Sequence, residues 1–69
     1  MEAQKGENLV DFIYRAKKRS EAIKSFCWSE FNGVGEYIYP DTRVGDFANI
    51  LGLKYRLENN NKPIPMFQE

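Results

Sequence analysis

Apolar residues recur at helical spacing along the first third of the chain. Asn8 stands directly before this stretch and is a favourable helix N-cap, with Asp11 placed to complete a weaker form of the capping box. Asp11 also lies four residues before Arg15, so the two should form an ion pair. The pattern predicts a helix over residues 8–25. The apolar residues at this spacing, of which the last two lie just beyond the predicted helix, are Leu9, Phe12, Ile13, Ala16, Ile23, Phe26 and Cys27.

The aromatic middle of the chain is divided by an Asn-Gly pair. Asn32 and Gly33 separate two runs of aromatic and β-branched residues, 26–31 and 36–39. Asn-Gly suits a two-residue hairpin turn because both central positions of that turn need positive φ. The sequence therefore predicts a β-hairpin over residues 26–39. A competing interpretation continues the first helix through residue 31, since hydrophobic spacing alone does not separate the two.

A second, short helix is predicted after Pro40, which ends the hairpin. Asp41 or Thr42 can serve as its N-cap. Gly52 occupies the position at which a helix often ends. The apolar residues between these signals are Val44, Phe47, Ala48 and Leu51, and they share one helical face.

The last part of the chain predicts an extended pair. Apolar and charged residues alternate over 53–58, as they do in a half-buried strand. The three asparagines 59–61 then form a turn, and residues 63–67 return. Pro63 and Pro65 both lack an N–H on the same edge, so the return is an outer strand or a polyproline-like arm.

Together these elements predict an α+β fold: a long N-terminal helix, an aromatic β-hairpin, a short second helix and a C-terminal extended pair. The chain has 69 residues, enough for one domain at most. We expect residues 1–7 to be a flexible start and residues 8–67 to be the domain. A chain of this size buries only about 60% of its unfolded surface. Dense aromatic packing, or burial of a face against a partner, must therefore support the core.

Composition excludes several kinds of chemistry. The chain has no histidine and one cysteine, Cys27, so it lacks the commonest general base and any internal disulfide. Structural zinc sites of cysteine and histidine cannot be assembled. Glu36, Asp41 and Asp46 lie close in sequence, but so short a chain hardly encloses a cleft of about 300 Å³ for paired-carboxylate catalysis. We expect no catalytic residue, no metal ligand and no cofactor, and therefore no enzyme.

The charge balance and the polar N-terminus bear on location and partners. Ten basic and ten acidic residues cancel, which weakens nonspecific attraction to nucleic acid or anionic lipid. No apolar run approaches the roughly 20 residues that span a bilayer. Residues 1–7 have no apolar core and do not form a signal peptide. With a free thiol, these features predict a cytoplasmic protein that does not bind membranes.

The surplus of aromatic residues favours protein–protein docking. The leading hypothesis is a small, non-enzymatic, intracellular regulatory or accessory module that binds another protein. A homodimer through the small residues Ala16 and Ser20 of the first helix is a related hypothesis. The expected partner-binding residues are Trp28, Phe31, Tyr37, Tyr39, Ile64, Met66 and Phe67.

The alternative hypothesis is a small DNA-binding regulator. Ala48, Gly52 and Leu53 follow the order of small residue, glycine and apolar residue found at the turn of a helix-turn-helix. A helix-turn-helix or winged-helix-like element would then occupy residues 42–62. The residues expected to contact duplex DNA are Arg43, Lys54, Arg56 and Lys62.

Overall fold

A computed structural model describes all residues from Met1 to Glu69. Four elements follow one another along the chain: helix α1 (Leu9–Ile23), strand β1 (Cys27–Phe31), strand β2 (Val34–Ile38) and helix α2 (Val44–Glu58). A helix, an antiparallel hairpin and a second helix make up the α+β fold that the sequence predicts. Neither helix is long and apolar enough to cross a lipid bilayer.

The two ends of α1 are set by single residues. The side chain of Asn8 accepts hydrogen bonds from the backbone N–H groups of Val10 at 2.9 Å and Asp11 at 3.4 Å, which confirms the predicted N-cap. The helix ends at Ile23, earlier than predicted, because Lys24 takes a left-handed conformation with a φ of 55°. This residue turns the chain into the hairpin.

A charged clamp joins α1 to the segment before it. Arg15 donates from Nε to Glu7 Oε2 at 2.9 Å and from Nη2 to Glu7 Oε1 at 2.8 Å. The predicted pair of Arg15 with Asp11 is therefore wrong, because Glu7 offers the two-oxygen geometry that a planar guanidinium matches. Arg15 Nη2 also donates to the carbonyl of Glu2 at 3.1 Å. The hydrogen bond from Arg15 lowers the pKa of the Glu7 carboxyl below its ordinary value.

Residues 1–3 lie along the edge of β1 that β2 does not occupy. The N–H of Ala3 donates to the carbonyl of Glu30 at 3.0 Å, and the N–H of Glu30 donates to the carbonyl of Met1 at 2.9 Å. The amino group of Met1 donates to the carbonyl of Trp28 at 2.7 Å. The segment predicted to be a flexible start thus has a defined place beside the hairpin. Its flexibility, like the domain boundary, stays a prediction.

The turn and both strands confirm the predicted hairpin and exclude a continuation of α1. The turn residues have positive φ, 47° for Asn32 and 84° for Gly33, as a two-residue type I′ turn requires. Phe31 pairs with Val34 across the antiparallel ladder. Both of these side chains are buried, and they define the inner face of the hairpin, which is turned towards the helices.

Both helices pack on this inner face and close a single core. The rings of Phe12 and Phe31 have their centroids 5.6 Å apart. Since a lone hairpin or a short helix is marginal in water, each element depends on the others. The buried core residues are Leu9, Phe12, Ile13, Ala16, Phe31, Val34, Ile38, Phe47 and Leu51.

Helix α2 runs without interruption through Gly52, so the strand predicted over residues 53–58 is wrong. Alternation indicates a strand only when the apolar residues share a buried face. Here Leu53 is 62% exposed and Leu57 is 85% exposed. The alternation of apolar and charged residues over 53–58 therefore does not mark the buried face of a strand.

Contacts on two sides hold the later turns of α2. Tyr55 packs against the core one helical turn after Leu51. Gly52 faces the C-terminal part of the chain, where a Cβ would lie 4.0 Å from Ile64 Cγ2. Gly52 thus lies inside the helix with room for a methyl group and does not end it.

The N-terminus of α2 also differs from the prediction. Arg43 takes the N-cap position and makes no side-chain capping bond, whereas Asp41 or Thr42 was expected there. Thr42 Oγ1 instead accepts the N–H of Tyr39 at 2.9 Å. The threonine is therefore used to close the turn after β2.

The C-terminal arm, residues 62–69, forms no regular strand. Its backbone lies against the start of α1: the N–H of Leu9 donates to the carbonyl of Met66 at 2.8 Å, and the N–H of Gln68 donates to the carbonyl of Glu7 at 2.9 Å. The predicted extended pair is thus replaced by an arm, one of the two alternatives that the prolines indicate.

Replacing Gly52 with alanine should stabilise the protein by about 0.5–1 kcal/mol, because glycine inside a helix costs about that much relative to alanine. Urea unfolding followed by the fluorescence of Trp28 measures the change. Gly33→Ala is the matched control: no atom obstructs a Cβ there, but the φ of 84° disfavours any L side chain, so this variant should be destabilised. Equal effects of the two changes would contradict a continuous α2.

Replacing Glu7 with glutamine should flatten the dependence of stability on pH. Because its pKa is lowered in the folded chain, the Glu7 carboxylate stabilises the fold above its ordinary pKa of 4.5 and loses that contribution as the pH falls through the lowered value. Between about pH 7 and pH 3, the unfolding free energy of the wild type should therefore fall more than that of Glu7→Gln. The difference between the two falls should be at most about 1 kcal/mol. Glu21→Gln, at an exposed glutamate of α1 that makes no ion pair, is the matched control for the loss of one carboxylate.

Candidate docking surface

The outer face of the hairpin, opposite the core, carries four neighbouring aromatic side chains, which we call the aromatic face. Trp28 and Tyr37 are directly opposed across the strands, and Phe26 and Tyr39 continue the two rows beyond the strand ends. Each of the four is between 43% and 54% exposed. The sequence predicts three of them as docking residues. Phe26 was not among the expected docking residues, and the structure adds it because its ring contacts those of Tyr37 and Tyr39.

The rings of the aromatic face contact one another in a fixed arrangement. The centroids of Trp28 and Tyr37 are 5.0 Å apart with the planes at 70°, and those of Phe26 and Tyr37 are 5.3 Å apart with the planes at 88°. Tyr39 lies 6.0 Å from Phe26. Edge-to-face packing of this kind is the favoured geometry for aromatic pairs. The rings are held before any partner arrives, which lowers the entropy lost on binding.

The indole of Trp28 rests on Gly35. A Cβ built on Gly35 would lie 2.6 Å from Trp28 Cζ2 and 3.0 Å from the carbonyl oxygen of Ser29. Only a glycine therefore allows the ring to lie flat on the strand. The sequence gives no separate signal for this role, because a glycine so near Asn32-Gly33 is already accounted for by the turn.

Side chains occupy the outer edge of β2. Lys54 Nζ donates to the carbonyl of Gly35 at 2.9 Å and pairs with Glu36 Oε2 at 3.1 Å. Glu36 Oε1 accepts the N–H of Tyr37 at 2.8 Å. Both hydrogen bonds lower the pKa of the Glu36 carboxyl, and the bond from the Tyr37 N–H has the larger effect. Because these backbone groups are taken, a partner meets side chains rather than an open strand edge.

The other predicted partner-binding residues lie elsewhere. Phe31 is completely buried on the inner face and belongs to the core, so its prediction as a docking residue is wrong. Ile64 is half-buried against the core. Met66 and Phe67 are exposed on the C-terminal arm, and neither makes a ring contact with the aromatic face. Strand alternation puts Phe31 on the face opposite Trp28, and the packing of the helices decides that this face is the buried one.

A second apolar surface lies on α2. Ile50, Leu53 and Leu57 follow one side of the helix and are all exposed, and we call them the aliphatic stripe. A shallow cleft of about 580 Å³ opens beside them, between α2 and the C-terminal arm, with Leu53 and Met66 among its walls. No polar side-chain atom is left buried without a partner anywhere in the chain.

The helix-turn-helix geometry predicted over residues 42–62 is absent. A helix-turn-helix needs a turn at Gly52, and α2 passes straight through it, so that structural prediction is wrong. Lys54 is paired with Glu36. Arg56 points about 200° around the helix from Lys54, on the opposite side. Arg43, before α2, and Lys62, after it, are exposed but do not join these two in one basic stripe.

Two smaller predictions concern small residues. Ala16 and Ser20 are completely buried within the chain, and Ser20 Oγ donates to the carbonyl of Lys17 at 2.7 Å. The chain's own core thus already covers both residues, and a homodimer through them stays a prediction. Cys27 is half-buried and packs against the core. No three cysteine or acidic side chains converge as metal ligands do.

No protein-family model, curated protein or solved structure matches this chain. What its surfaces bind must therefore follow from their own chemistry.

Replacing Gly35 with alanine should displace the indole of Trp28, because the new methyl group would overlap the ring. We expect the fluorescence of this single tryptophan to shift to longer wavelength as the ring enters water, with a loss of stability of about 1 kcal/mol. Gly45→Ala, at an exposed position with nothing within 4 Å, is the control. An unchanged emission spectrum for Gly35→Ala would contradict the stacked geometry.

Proposed function

We propose that the protein is a non-enzymatic docking module, a small regulatory or accessory protein that binds another protein through the aromatic face. The observation that carries this proposal is the exposed, mutually packed cluster of Phe26, Trp28, Tyr37 and Tyr39. Tryptophan and tyrosine are enriched at the centres of protein interfaces and among the residues that dominate binding energy.

The cost of leaving these rings in water supports the proposal. Full burial of a large apolar side chain stabilises by about 1.5–3 kcal/mol relative to full exposure, and between 43% and 54% of each of these four side chains remains in water. Exposed apolar residues that occur singly are normal, but a contiguous patch usually marks an interaction site. A partner that covers the four rings would recover this free energy with little loss of side-chain entropy.

A protein partner fits this surface better than a nucleic acid does. Single-stranded nucleic acid stacks on aromatic residues within a positive groove, whereas the chain has no lysine or arginine between Lys24 and Arg43. Glu30 shares the outer face of the hairpin by strand alternation and would repel phosphate. We place the activity in the cytoplasm, where the thiol of Cys27 would stay reduced.

Affinity capture with aromatic-face variants tests the proposal. Wild-type protein should retain a specific protein from an extract of the cells that express it, whereas Trp28→Ala and Tyr37→Ala should not. Truncation of such anchor residues typically costs at least about 2 kcal/mol, or roughly 30-fold in affinity. Titration of the purified partner then measures that loss directly. Tyr14→Ala is the matched control, because Tyr14 is equally exposed but lies on α1.

Two outcomes would contradict docking through the aromatic face. One is a partner that binds wild type and both aromatic-face variants equally, with all three folded by circular dichroism. The other is duplex DNA binding at about 50 mM salt that weakens steeply with added salt and survives Trp28→Ala, which would favour the DNA-binding alternative.

A further inference from the structure

We propose that the aliphatic stripe of α2 is the surface through which two copies of this chain associate. Ile50, Leu53 and Leu57 are spaced by three and four residues, the spacing of an apolar seam between two helices. The seam is about 10 Å long at 1.5 Å per residue. Leu57 is 85% exposed, more than any other large apolar side chain. A second copy would remove these three side chains from water.

An antiparallel arrangement with two-fold symmetry makes the stripe complementary to itself. Leu53 of one copy then lies beside Leu53 of the other, near the axis. Ile50 of each copy faces Leu57 of the other, so both ends of the seam are covered. Such an interface uses the same patch on both copies and closes at two chains. Antiparallel helices also place their opposite dipole ends together.

Charge at the ends of the seam favours the same arrangement. Asp46 lies one turn before Ile50 on the same side of α2. Two-fold symmetry places it beside residues 60–62 of the second copy, where Lys62 is the only charged residue. Asp46 and Lys62 are both exposed and make no ion pair within one chain.

Neither Lys54 nor the net charge of the chain opposes association. The Lys54 side chains of the two copies would lie near the axis, but each is already paired with Glu36 at 3.1 Å. The chain has a net charge of zero, so two copies do not repel each other as wholes. The pairing of Lys54 and the balanced net charge therefore permit two copies to meet along the stripe.

A second copy suits the stripe better than a lipid surface does. Helices that lie on bilayers flank their apolar face with lysine and arginine that meet anionic headgroups, whereas Lys54 beside this stripe is already paired with Glu36 and Asp46 continues the line of the stripe. Only about two turns of helix are involved, so the interface is small and the dimer weak, with dissociation at micromolar concentration or above. The aromatic face shares no residue with the stripe, and the inference does not depend on the proposed function.

Sedimentation equilibrium of the full chain tests this inference. Between about 1 µM and about 1 mM, the mass of the wild type should rise from 8.1 kDa towards that of two chains. Leu57→Glu should stay monomeric across this range without unfolding, because the side chain is exposed. Val10→Glu, at an exposed aliphatic residue near the start of α1, is the matched control and should associate as the wild type does.

Charge reversal tests the antiparallel arrangement itself. Asp46→Lys and Lys62→Glu should each weaken association several-fold, because each places like charges together across the interface. The double variant restores the opposite pair and should return association to within about twofold of the wild type. If the double variant lost as much association free energy as the two single variants together, this register would be excluded.

Three results would overturn the dimer. The wild type could stay monomeric up to about 1 mM. It could associate equally well with Leu57→Glu in place, or lose association in Trp28→Ala instead, which would assign self-association to the aromatic face. The stripe could also prove to bind a different protein: a captured partner lost in Leu57→Glu, with no dimer in the wild type, would show this.

Discussion

The packing of both helices against one face of a two-stranded hairpin is the constraint on which the rest of the structure depends. That face supplies Phe31, Val34 and Ile38 to the core, and α1 and α2 fill the space above them. Residues 1–69 form two layers, the hairpin and the pair of helices. The outer face of the hairpin and the far side of α2 are uncovered by these residues, and both carry apolar side chains. The two candidate surfaces are thus the outer sides of the two layers.

Hydrogen bonds between the chain ends and the hairpin turn support so small a core. The N–H of Asn32 donates to Gln68 Oε1 at 2.7 Å, and Asn32 Nδ2 donates to the carbonyl of Phe67 at 3.0 Å. The N–H of Glu69 returns a bond to Asn32 Oδ1 at 2.8 Å. One asparagine thus serves the type I′ turn and also anchors the C-terminal arm. The arm in turn satisfies the N–H of Leu9 at the start of α1.

Sequence patterns predicted those features that neighbouring residues decide. The Asn8 cap and the Asn32-Gly33 turn follow from local chemistry, and the structure confirms both. The predictions that were wrong concern features that depend on distant partners. Arg15 bonds to Glu7, outside its own helix, and residues 53–58 lack a strand to pair with. The aromatic face was predicted in part. Composition pointed to its residues, and alternation along β1 puts Trp28 and Phe31 on opposite faces, but only the packing of the helices decides that the face of Phe31 is the buried one.

The two surfaces differ in the kind of recognition they allow. The aromatic face is rigid and has polar atoms at its edges, in the tyrosine hydroxyls and the indole N–H, so it can combine burial with directed hydrogen bonds to a foreign partner. The aliphatic stripe has no such atoms and relies on shape and on the charges at its ends. Two chains joined along α2 would present two aromatic faces at once. A partner with two matching sites would then bind with an effective concentration set by that geometry, and each face could be individually weak.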